Sequence, residues 1–245
     1  MGIRKVIYRL FGDTIEYRDI GKKIIIIKHN KPGVYIKKGS RIRMRKEQCA
    51  VILKENKLYS VLRPGTYYLF PEIFPELEDD FGKGFKSIVD IDFYVLNQKV
   101  FKDNPWSNKN PISLRDKDFK FVQLRAFGTF SFRISNPEKF ISEVFINKKK
   151  YFTCNILLHI SSFVSRAVEE CVSQSGLRVT ELMNSYKKLE EDILKILQRE
   201  GQAFGVEYMD VRIDNLSIPV IIQQLLEDKM WKEIESRYNG EKQFS

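Results

Sequence analysis

The longest regular pattern of hydrophobic positions along the chain runs from Val122 to Ile134. Apolar and polar residues alternate there, with the period of a strand that has one buried face. Gly128 lies in the middle, where a glycine often marks a bulge or the close approach of another main chain. We predict a central core strand that pairs with the alternating stretch at 87–97.

Short strand patterns fill residues 15–70, interrupted by turn signals such as Arg63-Pro64-Gly65. Asn104–Pro111 is predicted to be a loop anchored by Trp106. After residue 135 the period changes to that of helices. The later elements we predict are a short helix opened by Asn136-Pro137, a helix at 155–174, a helix at 180–200 with Thr180 as its N-cap, a strand at 206–218 and a last helix that follows Pro219. This order predicts an α+β fold, with helices packed against a mostly antiparallel sheet and a C-terminal helix at the end.

The first residues form a different pattern, a short basic amphipathic helix. Its apolar stripe is Ile3, Val6, Ile7, Leu10 and Phe11, and its basic residues Arg4, Lys5 and Arg9 lie off that stripe. Such a helix can lie in a membrane interface, with each basic residue contributing about 1 kcal/mol near anionic lipid. The same pattern also fits a helix that packs on its own domain, and the sequence leaves both readings open.

The charge of the chain is concentrated at its beginning. Residues 1–50 hold 14 Lys and Arg against 4 Asp and Glu, which accounts for the whole net charge of +10. A basic segment on a neutral body indicates an anionic surface as partner, either lipid or nucleic acid, with simple solubility as the third reading. The aromatic residues of this segment do not interleave with its basic residues as a stacking platform for nucleic acid does.

Candidate chemistry is sparse. Three cysteines without a CxxC pair make neither a disulfide framework nor a zinc site. His159 and Cys171 share one predicted helix but lie about 18 Å apart along it, so we interpret them as packing residues. The acidic cluster Glu76, Glu78, Asp79 and Asp80 is interpreted as a solvated loop. We therefore predict no catalytic, cofactor or metal site, and a protein that is not an enzyme.

The last helix carries apolar residues that could form a seam with other helices. The predicted oligomerisation residues are Ile222, Leu225, Leu226, Met230 and Ile234. This seam spans two heptads, which is too short for a coiled coil to be assigned from the sequence. No apolar run in the chain approaches the ~20 residues of a membrane-spanning helix.

The strand set resembles the stomatin/prohibitin/flotillin (SPFH, or Band 7) superfamily, and within it the bacterial branch of virion core protein-like SPFH proteins. The residues that carry the resemblance are Glu47-Gln48 with Ala50-Val51, Pro64-Gly65 with Tyr67 and Leu69, Val89–Val95, Trp106, Asn110–Ile112, Leu114–Asp116, Val122, Leu124–Phe130, Pro137, Phe140, Gly205-Val206, Val211–Ile213 and Ile218-Pro219. The stretch from Asn110 to Phe132 is the specific part.

The resemblance implies a non-enzymatic scaffold, stomatin-like or flotillin-like, on the cytoplasmic, inner face of the cell membrane. Its expected partners are an anionic membrane surface, further copies of itself and protein clients that the sequence does not identify, with no small-molecule substrate. The expected organisation is an N-terminal basic segment at 1–20, an SPFH domain at 21–218 and the start of a coiled-coil helix at 219–245. A nucleic-acid-binding module that uses the first 50 residues is the alternative.

Two departures from the family pattern affect these expectations. Relatives commonly continue into a longer helical region, and many of this branch end in a zinc-ribbon-like tail, whereas this sequence ends at Ser245 without a CxxC. We expect either a short form or a chain without that tail, which leaves assembly through the tail open. The membrane hairpin of the superfamily is also missing, so the helix at 2–11 is the expected anchor.

Overall fold

The computed structural model describes residues 13–21, 24–29, 36–55, 57–75, 78, 88–89, 91–145 and 153–241, and of residues 88, 145, 153–155, 233 and 236–241 it describes the backbone alone. The predicted helix at 2–11 lies outside the described residues. The described strands are β1 (Thr14–Glu16), β2 (Ile26–Lys28), β3 (Ile36–Lys37), β4 (Arg41–Met44), β5 (Gln48–Lys54), β6 (Lys57–Leu62), β7 (Gly65–Tyr68), β8 (Ile88–Val89), β9 (Asp92–Asn97), β10 (Phe101–Ser107), β11 (Ile112–Asp116), β12 (Lys120–Ile134) and β13 (Val206–Ser217).

The described helices follow β12 in the chain. They are α1 (Pro137–Lys139), which continues as a π-helical segment (Phe140–Phe145), then α2 (Thr153–Gln174), α3 (Val179–Met183), α4 (Tyr186–Phe204) and α5 (Val220–Glu241). This content confirms the predicted α+β fold with a C-terminal helix. The chain divides into two compact units. Unit 1 comprises residues 1–102, 132–158 and 199–207, and unit 2 comprises residues 103–131, 159–198 and 208–245.

Unit 1 is built on small sheets. Its central sheet has the order β2-β9-β5-β6, and its β5–β6 and β5–β9 pairs are antiparallel. A second sheet has the order β1-β4-β7, where β1 and β4 are parallel and β4 and β7 antiparallel. β5 supplies a run of buried apolar residues, so it is covered on both faces. Ile42, Ile52, Leu69 and Phe93 are among the fully buried side chains of this core.

Unit 2 contains a sheet in which β12 is central. β12 pairs with β10, β11 and β13. The predicted inward residues Val122, Leu124 and Ala126 are buried, which confirms the alternating pattern. Helices pack on this sheet: the Tyr208 hydroxyl donates to the carbonyl oxygen of Ile160 at 3.3 Å, and the Ile213 N–H donates to Glu190 Oε1 at 2.8 Å.

Several local predictions were wrong. The stretch at 87–97 does not pair with β12, because β9 pairs with β2 and β5 instead. Trp106 does anchor its segment, because its indole N–H donates to the Arg212 carbonyl oxygen at 3.1 Å. The predicted loop is correct for residues 108–111, but residues 104–107 are the end of strand β10. The predicted helix at 180–200 is two helices that meet at Asn184, and the N-cap is Arg178 rather than Thr180.

Candidate interaction surfaces

The outward face of the β1-β4-β7 sheet carries arginines in a row. Along β4, Ile42 and Met44 point into the core, so the alternation places Arg41 and Arg43 on the other face. Arg41 lies opposite Thr14 on β1 and Tyr68 on β7, and Tyr68 is 43% exposed. We call this surface, with Arg45 just beyond the strand, the arginine face.

The carboxylate of Glu16 lies within ion-pair distance of two of these arginines. Glu16 Oε1 accepts hydrogen bonds from Arg45 Nε at 3.0 Å and Nη2 at 2.7 Å, and Arg43 Nε lies 3.9 Å away. The hydrogen bond from Arg45 lowers the pKa of Glu16, so this carboxylate stays ionised. Arg41 makes no ion pair with a described carboxylate, and its Nε is buried without a hydrogen-bond partner among the described residues.

The arginine face therefore keeps an excess of positive charge. Residues 36–46 hold six Lys and Arg and no acidic residue. Among the described residues, two carboxylates reach this stretch. Glu16 of β1 pairs with the arginines, and Asp13, which precedes β1, has its Oδ2 3.1 Å from Lys37 Nζ. The three arginines of the arginine face against the one carboxylate of Glu16 leave that face a net charge of +2. Because β1 begins at Thr14, this surface adjoins the point where the basic segment at 2–11 joins the fold.

Helix α5 is the second candidate surface. Pro219 opens it, because its carbonyl oxygen accepts from the N–H groups of Ile222 and Gln223 at 2.9 and 3.1 Å. Lys229 Nζ lies 3.1 Å from Asp118 Oδ2, which ties the helix to the turn between β11 and β12. Large apolar side chains of the helix remain exposed, namely Val220, Ile221, Leu225, Met230, Trp231 and Ile234.

The predicted oligomerisation residues are not equivalent in the structure. Ile222 and Leu226 are half-buried, whereas Leu225, Met230 and Ile234 are exposed. Leu225 and Ile234 are nine residues apart, which at about 100° per residue places them on opposite sides of the helix. The five residues thus cover more than one side of α5. Trp231, which is 65% exposed, was missed by the sequence reading, although its position beside Met230, between the charged pairs Asp228-Lys229 and Lys232-Glu233, is a usable signal.

The reactive side chains are held as packing groups. Burial raises the pKa of the Cys49 thiol to about 12, and burial also raises the pKa of Cys171, so neither thiol is activated. The His159 ring contacts Phe163 edge-on at 5.0 Å. The Tyr17 hydroxyl lies 3.0 Å from Nδ1 of His29, and burial lowers the pKa of that histidine.

The described part of the chain carries neither a metal-binding cluster nor a membrane-spanning helix. The described residues contain no group of three or more His, Cys, Asp and Glu side chains placed to hold a metal ion. Among them, no helix is both long and apolar enough to cross a bilayer. The predicted membrane-contact residues Ile3, Arg4, Lys5, Val6, Ile7, Arg9, Leu10 and Phe11 all lie outside the described part of the chain.

Comparison with known proteins defines the class to which this fold and these surfaces belong. Residues 26–234 match the family model of the SPFH domain-Band 7 family, and the chain belongs to that family. It is similar to the uncharacterized protein YdjI of Bacillus subtilis (strain 168), with 24% identity over 219 residues, which cover 88% of this chain and 67% of YdjI. Membership suggests a membrane-associated scaffold role in general terms, and the family is generally non-enzymatic.

Proposed function

We propose that this protein is a peripheral membrane scaffold that binds anionic lipid at the cytoplasmic face of the cell membrane and assembles with copies of itself. The observation that carries the proposal is the arginine face, which has a net charge of +2 and includes the strand partner of Thr14, the first residue of β1. In the sequence, the basic amphipathic segment at 2–11 directly precedes this strand. Anionic lipid headgroups are the natural counter-charge of such a surface.

The two halves of the membrane site have different roles in this proposal. Ile3, Ile7 and Leu10 insert shallowly into the interface, and the arginine face then lies against the headgroups. Arg41 suits a lipid phosphate, because its guanidinium has no described carboxylate partner and a guanidinium can bind phosphate through two hydrogen bonds.

Assembly is proposed to use helix α5. A helix with large apolar side chains on several sides needs cover on several sides. Neighbouring copies supply that cover through Leu225, Met230, Trp231 and Ile234, which are exposed in the single chain. Assembled copies also multiply weak lipid contacts, so a modest affinity of each copy gives firm attachment.

Vesicle flotation with anionic lipid tests the proposed membrane binding. The pair Arg41→Glu with Arg43→Glu is expected to weaken binding about 30-fold, since each basic residue near the surface contributes about 1 kcal/mol. The matched control is Lys57→Glu with Lys102→Glu, which makes the same change in charge at exposed residues of β6 and β10. Equal flotation of the two pairs would count against the arginine face.

Insertion is tested separately. Ile7→Asp with Leu10→Asp is expected to abolish flotation, whereas Arg18→Asp, in an exposed loop residue, is expected to weaken it only slightly. Unchanged flotation of the Ile7 and Leu10 pair would contradict insertion by this segment. Nucleic acid is the alternative partner. If the protein binds it, the logarithm of the binding constant falls linearly with the logarithm of the salt concentration.

A further inference from the structure

Three polar side chains form a row across the β1-β4-β7 sheet of unit 1. The strand register places Arg41 of β4 opposite Thr14 of β1 on one side and opposite Tyr68 of β7 on the other. Residues directly opposite each other in neighbouring strands point to the same face of a sheet, with Cβ atoms about 5 Å apart. Ile15 and Ile42, the next residues along their strands, are buried, so the row lies on the outward face. We call Thr14, Arg41 and Tyr68 the Arg41 row.

The hydrogen-bonding groups of the Arg41 row have no partners among the described residues. The Arg41 guanidinium makes neither an ion pair nor a hydrogen bond with them, and its Nε is buried without an acceptor. The hydroxyl groups of Thr14 and Tyr68 also make no hydrogen bond to a described residue. A buried donor without an acceptor costs free energy, and this cost favours a ligand that brings acceptors to the guanidinium. The row therefore offers one cation flanked by two uncharged hydroxyl groups.

The next row along the same strands already contains a carboxylate. There Arg43 lies between Glu16 of β1 and Thr66 of β7. Glu16 Oε1 lies 3.9 Å from Arg43 Nε, so this arginine has an acidic neighbour within the sheet. The two rows share a face and a strand order, and they differ in what stands beside the arginine. Only the Arg41 row replaces the carboxylate with a hydroxyl group.

The start of β1 is held against Arg41 by the main chain. The Arg41 N–H donates to the carbonyl oxygen of Asp13 at 3.0 Å. The carboxylate of Asp13, which precedes Thr14, lies 3.1 Å from Lys37 Nζ through its Oδ2. This acidic group thus has its own cationic partner, and it makes no ion pair with Arg41. The row is positioned by the sheet and keeps its positive charge.

We propose that the Arg41 row binds a phosphomonoester, a group with three terminal oxygen atoms on phosphorus. Two of these oxygens accept from the Arg41 guanidinium side by side, and the third accepts from a flanking hydroxyl group. A carboxylate and the phosphodiester of a lipid headgroup each have two such oxygens and offer no third. This inference rests on the proposed function, because a lipid with a phosphomonoester headgroup is one source of the group. A soluble phosphomonoester is the other source.

Vesicle flotation separates this recognition from general attraction to anionic lipid. Vesicles that contain phosphatidic acid, a phosphomonoester, are compared with vesicles that contain phosphatidylglycerol, a phosphodiester, at the same surface potential. The unmodified full chain is expected to bind the phosphatidic acid vesicles about tenfold more tightly, because one more charge-assisted hydrogen bond forms. Equal binding to the two kinds of vesicle overturns the inference.

The two hydroxyl groups can be removed without a change of charge. Thr14→Val with Tyr68→Phe is expected to abolish the preference for phosphatidic acid, so that the two kinds of vesicle bind equally. Thr66→Val is the matched control, because it removes an exposed hydroxyl group from the same sheet face in the row that contains Glu16. The control is expected to keep the full preference. A double variant that also keeps it overturns the inference.

The shape of the cation is tested by Arg41→Lys. Lysine keeps the charge, but its ammonium group cannot present two parallel N–H donors to two oxygens. The preference for phosphatidic acid is expected to fall about tenfold, while the midpoint of thermal unfolding shows that the variant folds. Arg18→Lys, at an exposed residue outside the sheet, is the control and is expected to keep the preference. A full preference in Arg41→Lys overturns the bidentate contact.

Glycerol 3-phosphate distinguishes the two sources of the phosphomonoester. It is expected to release the protein from phosphatidic acid vesicles, whereas sodium chloride at the same ionic strength is expected to release less. Calorimetric binding of glycerol 3-phosphate that Thr14→Val with Tyr68→Phe abolishes, without flotation on any vesicle, supports the site and contradicts the proposed membrane binding. Equal flotation on both kinds of vesicle without binding of glycerol 3-phosphate overturns the site and leaves the proposed function standing. If neither vesicle nor glycerol 3-phosphate is bound, both fail.

Discussion

Gly128 in strand β12 lies against the main chain of Arg212 in strand β13. A Cβ atom built on Gly128 would be 2.0 Å from the Arg212 carbonyl oxygen, far inside any real contact. The same carbonyl oxygen accepts the indole N–H of Trp106 at 3.1 Å. The close approach of β12 and β13 therefore requires a glycine at this position. The buried Trp106, on β10, holds the Arg212 carbonyl group in place through its hydrogen bond.

Gly128→Ala is expected to destabilise the protein by about 3 kcal/mol, because the added methyl group forces the two strands apart. The measurement is the midpoint of thermal unfolding. Gly176→Ala is the control: its φ of +63° is strained for alanine, but among the described residues no heavy atom other than those of its chain neighbours lies within 4 Å of the added Cβ. The control should cost about 1 kcal/mol. Equal losses in the two variants would show that close approach at Gly128 is not the cause.

Asp116 is expected to make stability depend on pH. Its burial acts to raise the pKa, but the hydrogen bonds from the Val179, Asp118 and Phe119 N–H groups, with the charge of Arg178, outweigh burial and lower it. A lowered pKa means that the stabilisation is complete above the unfolded value of about 3.9 and is lost as the pH falls through the folded value.

Asp116→Ala should therefore cost about 3 kcal/mol at neutral pH, since three N–H groups lose a charged acceptor. The difference in unfolding midpoint between this variant and the unmodified protein should shrink toward acid pH. A difference that is the same at neutral and acid pH would contradict the role given to the ionised carboxylate.

Cys49 is expected to resist thiol reagents in the folded protein. Its thiol is fully buried and burial raises its pKa to about 12, so about one molecule in ten thousand carries the thiolate at pH 8. Mass spectrometry after brief alkylation should find Cys49 unmodified until a denaturant is added. Rapid modification of Cys49 under native conditions would show that the thiol is accessible and would contradict its burial in this core.

Substitutions in helix α5 test the proposed assembly without changing the core of the domain. Trp231→Asp with Ile234→Asp removes two exposed apolar side chains and should reduce the assembled fraction without lowering the free energy of unfolding by more than about 0.5 kcal/mol. Gln224→Asp, on the same helix and also exposed, is the control for added charge. An assembly that tolerates the double variant would exclude these two residues from the interface.

The strand pattern of β12 was predictable because alternation is a property of neighbouring residues. Its partners were not, because pairing depends on which strands the tertiary structure brings together, and β9 lies between β2 and β5 rather than beside β12. Gly128 gave a correct signal for close approach, yet its partner Arg212 lies more than eighty residues away in sequence and no local pattern points to it.

The interaction surfaces were partly visible in the sequence. The alternation of arginine with apolar residues at Arg41–Arg45 is itself a strand signal. The contact of these arginines with Glu16 could not be predicted, because it depends on the parallel pairing of β1 with β4. The assignment to the virion core protein-like branch stays a prediction.

The most direct test of the central claim is the fraction of the unmodified full chain that floats with vesicles as the content of anionic lipid is raised at constant ionic strength. We predict negligible flotation with zwitterionic vesicles and a steep rise with anionic lipid, which high salt reverses because the surface charges are then screened. Flotation that is absent at every lipid composition, or that is the same with neutral and anionic vesicles, would contradict the account.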